Sequence, residues 1–226
     1  MGFKDIQGFV FSAEADEPVL KALETFGAGG TYATATLLGL QPDPVLMAGG
    51  VYGPSVWAQV GEQFEEAVEK DRAAVERRCQ KAASPIATRV LSAIPGALDA
   101  AAAVYARHSE LSVMLRPDGS WLEDARNKVF EGLLFGSGRP VLLIPEKWSG
   151  GSIGRRIAIG WNGKREAARA LSDSMPLLRD ADEVSVITVD ARPDFNAYGE
   201  APGLDITAHL ARCGVKAALR NVDGLG

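Results

Sequence analysis

The sequence pattern of the first 148 residues begins again after a short stretch of Gly and Ser. A shift of 148 positions aligns Ala22 and Leu23 with Ala170 and Leu171, and without gaps it superimposes the first two apolar runs of each half. The stretch SGGSIG at 149–154 has the composition of a flexible linker. We therefore predict two repeats of one domain, at 1–148 and 155–226, joined by this linker.

Each repeat alternates short apolar runs with stretches of helical periodicity. Strands are predicted at 6–11, 31–40, 87–91, 111–115 and 140–144 in the first repeat, and at 156–160, 183–189 and 215–219 in the second. The alternation predicts an α/β fold, Rossmann-like, with an open parallel five-stranded sheet flanked by helices. We expect the second repeat to be truncated, with about three of the strands and a sheet edge that a partner would have to cover.

Composition excludes several classes of protein. A net charge of -5 argues against a surface that neutralises nucleic-acid phosphates. No apolar run approaches the ~18 residues of a membrane span, and the first residues do not resemble a signal peptide. We expect a cytoplasmic protein with no membrane or nucleic-acid partner. The two cysteines, Cys79 and Cys213, lack the spacing of a zinc site, so ordinary reduced thiols and no metal are expected.

Three segments carry a resemblance to a known family. They are IQGFVFSAEADEPVLKAL, its counterpart RRIAIGWNGKREAARAL in the second repeat, and LFGSGRPVLLIP at the end of the first repeat. Together they resemble universal stress proteins over essentially the whole chain. The resemblance implies a five-stranded parallel sheet in each domain, pairing as homodimers or as tandem domains, and a role in stress survival. Some members of the family bind ATP and others do not.

The resemblance also locates the nucleotide site of the first repeat. ATP-binding members carry an Asp after strand one, and alignment on the helix that contains Ala22 places Glu14 there. Their phosphate loop follows strand four, and its Gly, Gly, Gly and Ser/Thr positions fall here on Leu115, Asp118, Lys128 and Val129. None of these residues keeps the pattern. Side chains block the close approach of backbone to phosphate, and Asp118 repels it, so this loop is expected not to hold ATP.

In the second repeat the same alignment places Asn162 at the Asp position. Asn162, Gly163 and Lys164 form a turn between strand and helix, followed by Arg165, where an anion such as the phosphate of ATP or AMP could rest. The alternative is an ordinary solvated helix start. The turn therefore stays a candidate site.

The remaining acidic residues, histidines and loop sequences indicate structural roles rather than catalytic or metal-binding ones. Glu14, Asp16 and Glu17 could seat a divalent cation, but acids at a helix start also stabilise the helix dipole. His108 and His209 lie in different repeats with no adjacent triad motif. Neither SAEADE nor WNGKRE contains the loop motifs of adenylate-forming enzymes. We expect a non-catalytic stress-response protein that dimerises or binds partners. The alternative is an ATP- or AMP-binding regulator that uses the second repeat.

Overall fold

The apolar runs of the sequence form parallel β-strands. The computed structural model describes residues 2–43, 53–117, 123–192, 201 and 203–223. Within them the chain divides into two units, one of Phe3–Gly151 and one that contains Ser152–Gly226. The boundary falls inside the SGGSIG stretch.

The first unit is built on one five-stranded sheet. Its strands run in the order β3-β2-β1-β4-β5, and every neighbouring pair is parallel. The strands are β1 (Asp5–Val10), β2 (Tyr32–Leu40), β3 (Ile86–Ala93), β4 (Leu111–Leu115) and β5 (Val141–Ile144). The helices are α1 (Glu17–Ala28), α2 (Pro54–Gln80), α3 (Leu98–Ala106) and α4 (Glu123–Glu131). The predicted α/β class with an open five-stranded parallel sheet is confirmed.

Alternate residues of β1 face helices on opposite sides of the sheet. On one side, α1 lies so close to Gly8 that an added Cβ would come 2.8 Å from the Leu23 side chain. On the other side, Phe9 belongs to a buried cluster with residues of α3 and with Val129 of α4. Helices on both faces explain why the strands are mostly apolar rather than alternating between apolar and polar residues.

The second unit has a three-stranded parallel sheet in the order β6-β7-β8. Its strands are β6 (Arg156–Gly160), β7 (Glu183–Val189) and β8 (Ala217–Val222), and its helices are α5 (Arg165–Leu178) and α6 (Leu204–Arg212). This is the strand order of β1, β2 and β3 in the first unit. The prediction began the last strand at residue 215, whereas Val215 is a buried core residue that precedes β8.

The end of α4 departs from regular α-helical geometry. After Glu131 the helix widens into a π-helical turn, Gly132–Gly136. This turn packs tightly on α3, because a Cβ on Gly132 would lie 2.1 Å from the Asp99 carbonyl oxygen. Only glycine fits between the two backbones at this point. Within the described ranges, no helix has both the length and the apolar character needed to cross a bilayer.

We predict that Gly132→Ala lowers the free energy of unfolding by about 3 kcal/mol, because overpacking against a backbone carbonyl cannot be relieved by a rotamer change. Chemical denaturation followed by circular dichroism measures the effect. Gly61→Ala in α2 is the matched control, since its Cβ would meet nothing within 4 Å. The control is expected to gain about 0.5–1 kcal/mol from helix propensity. Equal effects of the two substitutions would contradict the close packing.

Candidate functional site

The site that the fold makes available lies at the carboxyl ends of β1 and β4, where open parallel sheets bind ligands. There the chain leaves β1 and turns within a few residues into α1. Asp16 is the last residue before α1 and is fully buried. Its side chain makes no hydrogen bond to the helix that it precedes. It faces the end of the strand.

Asp16 binds the backbone at the end of β1. Its Oδ2 accepts hydrogen bonds from the amides of Phe11, at 2.7 Å, and Ser12, at 3.2 Å. The carbonyl of Asp16 accepts hydrogen bonds from the amides of Val19 and Leu20 in the first turn of the helix. One residue therefore satisfies backbone donors of both the strand end and the helix start.

The counter-ion of Asp16 comes from α4. Arg126 donates from Nη1 to Asp16 Oδ1 at 2.6 Å, and only 4% of the Arg126 side chain is exposed. The guanidinium also lies over the Phe11 ring, 5.1 Å from the ring centre. A charged group can be buried in this way only when it is paired and hydrogen-bonded. The pair joins β1, α1 and α4 at the edge where a ligand would enter.

Of the residues predicted for the nucleotide site of the first repeat, those that the structure describes do not converge on a pocket. Glu14 is exposed on the loop after β1. Leu115 is buried at the end of β4, and Val129 is fully buried in the cluster beneath α4. Lys128 is exposed and donates from Nζ to the Pro95 carbonyl at 3.1 Å. Asp118 lies outside the described residues.

In the second unit, Asn162, Gly163 and Lys164 form the turn between β6 and α5. The Asn162 Oδ1 accepts the amide of Lys164 at 3.0 Å, and Gly163 has a φ of 69°, which favours glycine. The Lys164 side chain is exposed, and Arg165 pairs with Glu166 at 2.9 Å. The Asn162 side chain thus accepts a hydrogen bond from the backbone of its own turn.

The acids after β1 form ion pairs with different arginines. Asp16 pairs with Arg126, whereas Glu17 accepts from Arg78 of α2 at 2.8 Å. Arg78 also reaches Glu24, and these two carboxylates raise its pKa. In the described part of the chain, no group of three or more His, Cys, Asp or Glu could hold a metal ion.

The two thiols differ in their environment. Cys79 of α2 is buried, and burial raises its pKa to about 11. Cys213, at the end of α6, is half-buried, with its Sγ 3.8 Å from Nε2 of the exposed His209. A thiol that stays protonated and covered is a poor nucleophile.

We predict that iodoacetamide at neutral pH modifies Cys213 and spares Cys79 in the folded protein. Intact-mass spectrometry counts the adducts, and peptide mapping locates them. Cys213→Ser should abolish the rapid reaction, and denaturant should restore the reaction at Cys79. Modification of Cys79 as fast as Cys213 would contradict the burial of α2 against the sheet.

Sequence reasoning missed Asp16 as a pairing residue and missed Arg126 altogether. Asp16 has the signature of a helix start, since Glu17 and Pro18 follow it. Arg126 is one charge among several on an amphipathic helix. The two residues are 110 positions apart, so no local motif links them. Only the packing of α4 onto the end of β1 brings them together.

We predict that Asp16→Ala lowers the free energy of unfolding by about 3–5 kcal/mol, because it leaves a buried guanidinium and two amides without an acceptor. Denaturant unfolding measures the loss. The double variant Asp16→Ala/Arg126→Met removes both charges and is expected to recover most of it. A double variant that loses the sum of the two single effects would show that the pair does not couple.

Comparison with known proteins supports the fold. No protein-family model and no curated protein sequence matches the chain. A solved structure described as a universal stress protein from Archaeoglobus fulgidus matches 96% of this chain and 77% of its own, with a TM-score of 0.60 and 16% identity. A hypothetical protein designated PH0823 matches 65% of this chain and 99% of its own, with a TM-score of 0.37 and 16% identity. The chain therefore shares the fold of a universal stress protein.

Proposed function

We propose that this chain is a stress-response protein of the universal stress protein type. In this proposal it is not an enzyme, binds no nucleotide in its first unit, and acts through contacts with a homodimer partner or other proteins. The second unit is proposed to be an incomplete tandem copy of the first. The observation that carries the proposal is the buried Asp16–Arg126 pair at the carboxyl ends of the strands.

The pair supports this proposal because Asp16 already binds the donor groups that an anionic ligand would need. A phosphate at this edge needs backbone donors and a cation. The Phe11 and Ser12 amides and the Arg126 guanidinium are such groups, and all three are bound to Asp16. A nucleotide would have to displace a carboxylate that the chain itself holds in place.

The family-equivalent positions support the same conclusion. Leu115 and Val129 are 3% and 0% exposed, so glycine or serine there would open the core rather than a loop. The Nζ of Lys128 donates a hydrogen bond to the Pro95 carbonyl. These residues do not fit the phosphates of ATP.

Partner binding is supported by the apolar surface of the first unit. In the π-helical turn Gly132–Gly136, which precedes β5 in the chain, Phe135 is 80% exposed and Leu134 is 44% exposed. At the sheet edge, Val141, Leu142 and Leu143 of β5 are only half-buried. An exposed apolar edge strand favours pairing with another chain or domain.

The alternative function is binding of ATP or AMP in the second unit. The turn at Asn162, Gly163 and Lys164 opens α5, and Lys164 and Arg165 add positive charge beside the helix start. The alternative requires further groups around this turn to complete a pocket.

We predict that the purified protein releases no stoichiometric nucleotide on denaturation, and that titration calorimetry with ATP or AMP gives no saturable heat. The reason is that Asp16 already occupies the donors of the strand-end crevice. Chromatography and mass spectrometry of the denatured supernatant identify any released nucleotide.

Stoichiometric nucleotide would contradict the proposal, and the variant Lys164→Ala would locate it. Loss of the nucleotide in Lys164→Ala would place it in the second unit and favour the alternative. Retention in Lys164→Ala would place it in the first unit and overturn the closed crevice. Lys147→Ala is the control for removing an exposed lysine that belongs to neither turn.

A further inference from the structure

A polar row crosses the sheet of the first unit one step toward the amino ends of its strands. The buried cluster beneath α3 and α4 contains Phe9, Leu38, Leu91 and Met114, one residue from each of four strands. Two residues earlier in each strand, on the same face, stand polar side chains. They are Gln7, Thr36, Arg89 and Ser112.

Arg89 is the cation of this row, and its partners are neutral. Its Nε donates to Thr36 Oγ1 at 3.0 Å, and its Nη2 donates to Gln7 Oε1. Gln7 in turn donates to Thr36 at 2.8 Å, and both residues are buried. The guanidinium also stacks on the Tyr105 ring, 4.5 Å from its centre. Three contacts therefore fix the guanidinium in one orientation, and the Gln7–Thr36 hydrogen bond fixes two of its partners.

No carboxylate in the described part of the chain forms an ion pair with Arg89, and its Nη1 has no hydrogen-bond partner there. Burial lowers the pKa of Arg89, and the nearby Asp5 is not close enough to form a salt bridge with it. Arg126 at the other end of the sheet, in contrast, has its own aspartate. A half-buried, rigidly held guanidinium that forms no direct salt bridge can donate to an anion.

The surroundings of Arg89 allow access from solvent. Arg89 lies on the edge strand β3 and is half-buried. Tyr32, the first residue of the neighbouring strand β2, is 62% exposed and adds an aromatic rim. At the far end of the row, the buried Ser112 Oγ has no hydrogen-bond partner among the described residues. The row thus has unused polar groups at both of its ends.

We propose that Arg89, in the middle of β3, anchors a binding site for a small oxyanion, a carboxylate or a phosphate monoester, on the side of the amino ends of the strands. The Nη1 of Arg89 donates to the oxyanion, Thr36 and Gln7 hold the guanidinium, and Tyr105 and Tyr32 receive the apolar part of the ligand. The site lies away from the carboxyl ends of the strands and does not depend on the function proposed above.

The neighbouring Asp5 sets an electrostatic condition on binding. Burial and the charge of Glu110 raise the pKa of Asp5, while Arg89 acts in the opposite direction. An ionised Asp5 repels an incoming anion, so removing its charge should strengthen binding. A purely structural Arg89 would give no such response.

The test is a titration of the full-length 15N-labelled protein, at constant ionic strength, with benzoate, phenyl phosphate, acetate and inorganic phosphate. Chloride is the control for nonspecific ionic effects. We expect saturable shifts of the Arg89 Nε–H and of β1–β3 amides, with the aromatic ligand of each pair bound more tightly. Comparison of benzoate with phenyl phosphate shows which oxyanion the site prefers.

Variants separate binding from structure. Arg89→Met keeps the apolar stem and should weaken binding at least about tenfold, as for the loss of a charge-assisted hydrogen bond. Asp5→Asn should tighten binding a few-fold. Arg139→Met is the matched control, because Arg139 is an exposed arginine that donates to a backbone carbonyl elsewhere.

No saturable shift in the wild type would overturn the proposal, and so would equal shifts in wild type and Arg89→Met. If Arg89→Met does not fold, Asp5→Asn decides, since an unchanged affinity in that variant would also overturn it. Binding that is lost in Arg139→Met instead would assign the anion to a different surface.

Discussion

Every strand pair described in this protein is parallel, and a parallel strand can be joined to the next only by a crossover that returns to the same end of the sheet. The carboxyl ends of all strands in a sheet therefore meet at one edge. Backbone donors at that edge have no ladder partner and need another acceptor. In the first unit the acceptor is Asp16, and its charge is balanced by Arg126. The ion pair fills, from within the chain, a position that the topology leaves for a ligand.

The fold could be predicted from the sequence because its elements depend on local patterns. The runs of β1 and β4 are mostly apolar and almost entirely buried, since helices cover both faces of the sheet, and α2 shows the periodicity of a half-exposed helix. Boundaries were less accurate where tertiary packing decides them. Val215 looks like the start of a strand but is buried before β8 begins, and the π-helical turn occurs where Gly132 meets the backbone of α3.

The site could be predicted only as a region. Alignment on the helix signature placed the functional acid at Glu14, which is exposed, whereas the buried acid is Asp16, two residues later. A carboxylate before a proline at a helix start has the same pattern whether it caps the helix or turns back to the strand. Its partner Arg126 lies on α4, in the connection between β4 and β5. A single sequence does not reveal the pairing of two distant charges, because each charged residue is of a common type for its position at or in a helix.

The sheet of the first unit thus has charged groups at both ends, under opposite conditions. At the carboxyl ends, Arg126 is buried with a carboxylate that the chain supplies. At the amino ends, Arg89 is held by neutral oxygens and an aromatic ring. Neutral partners orient a guanidinium but do not cancel its charge. The cation at the end that topology would reserve for a ligand is paired with Asp16, whereas Arg89 forms no direct salt bridge, so a search for ligands should begin at Arg89.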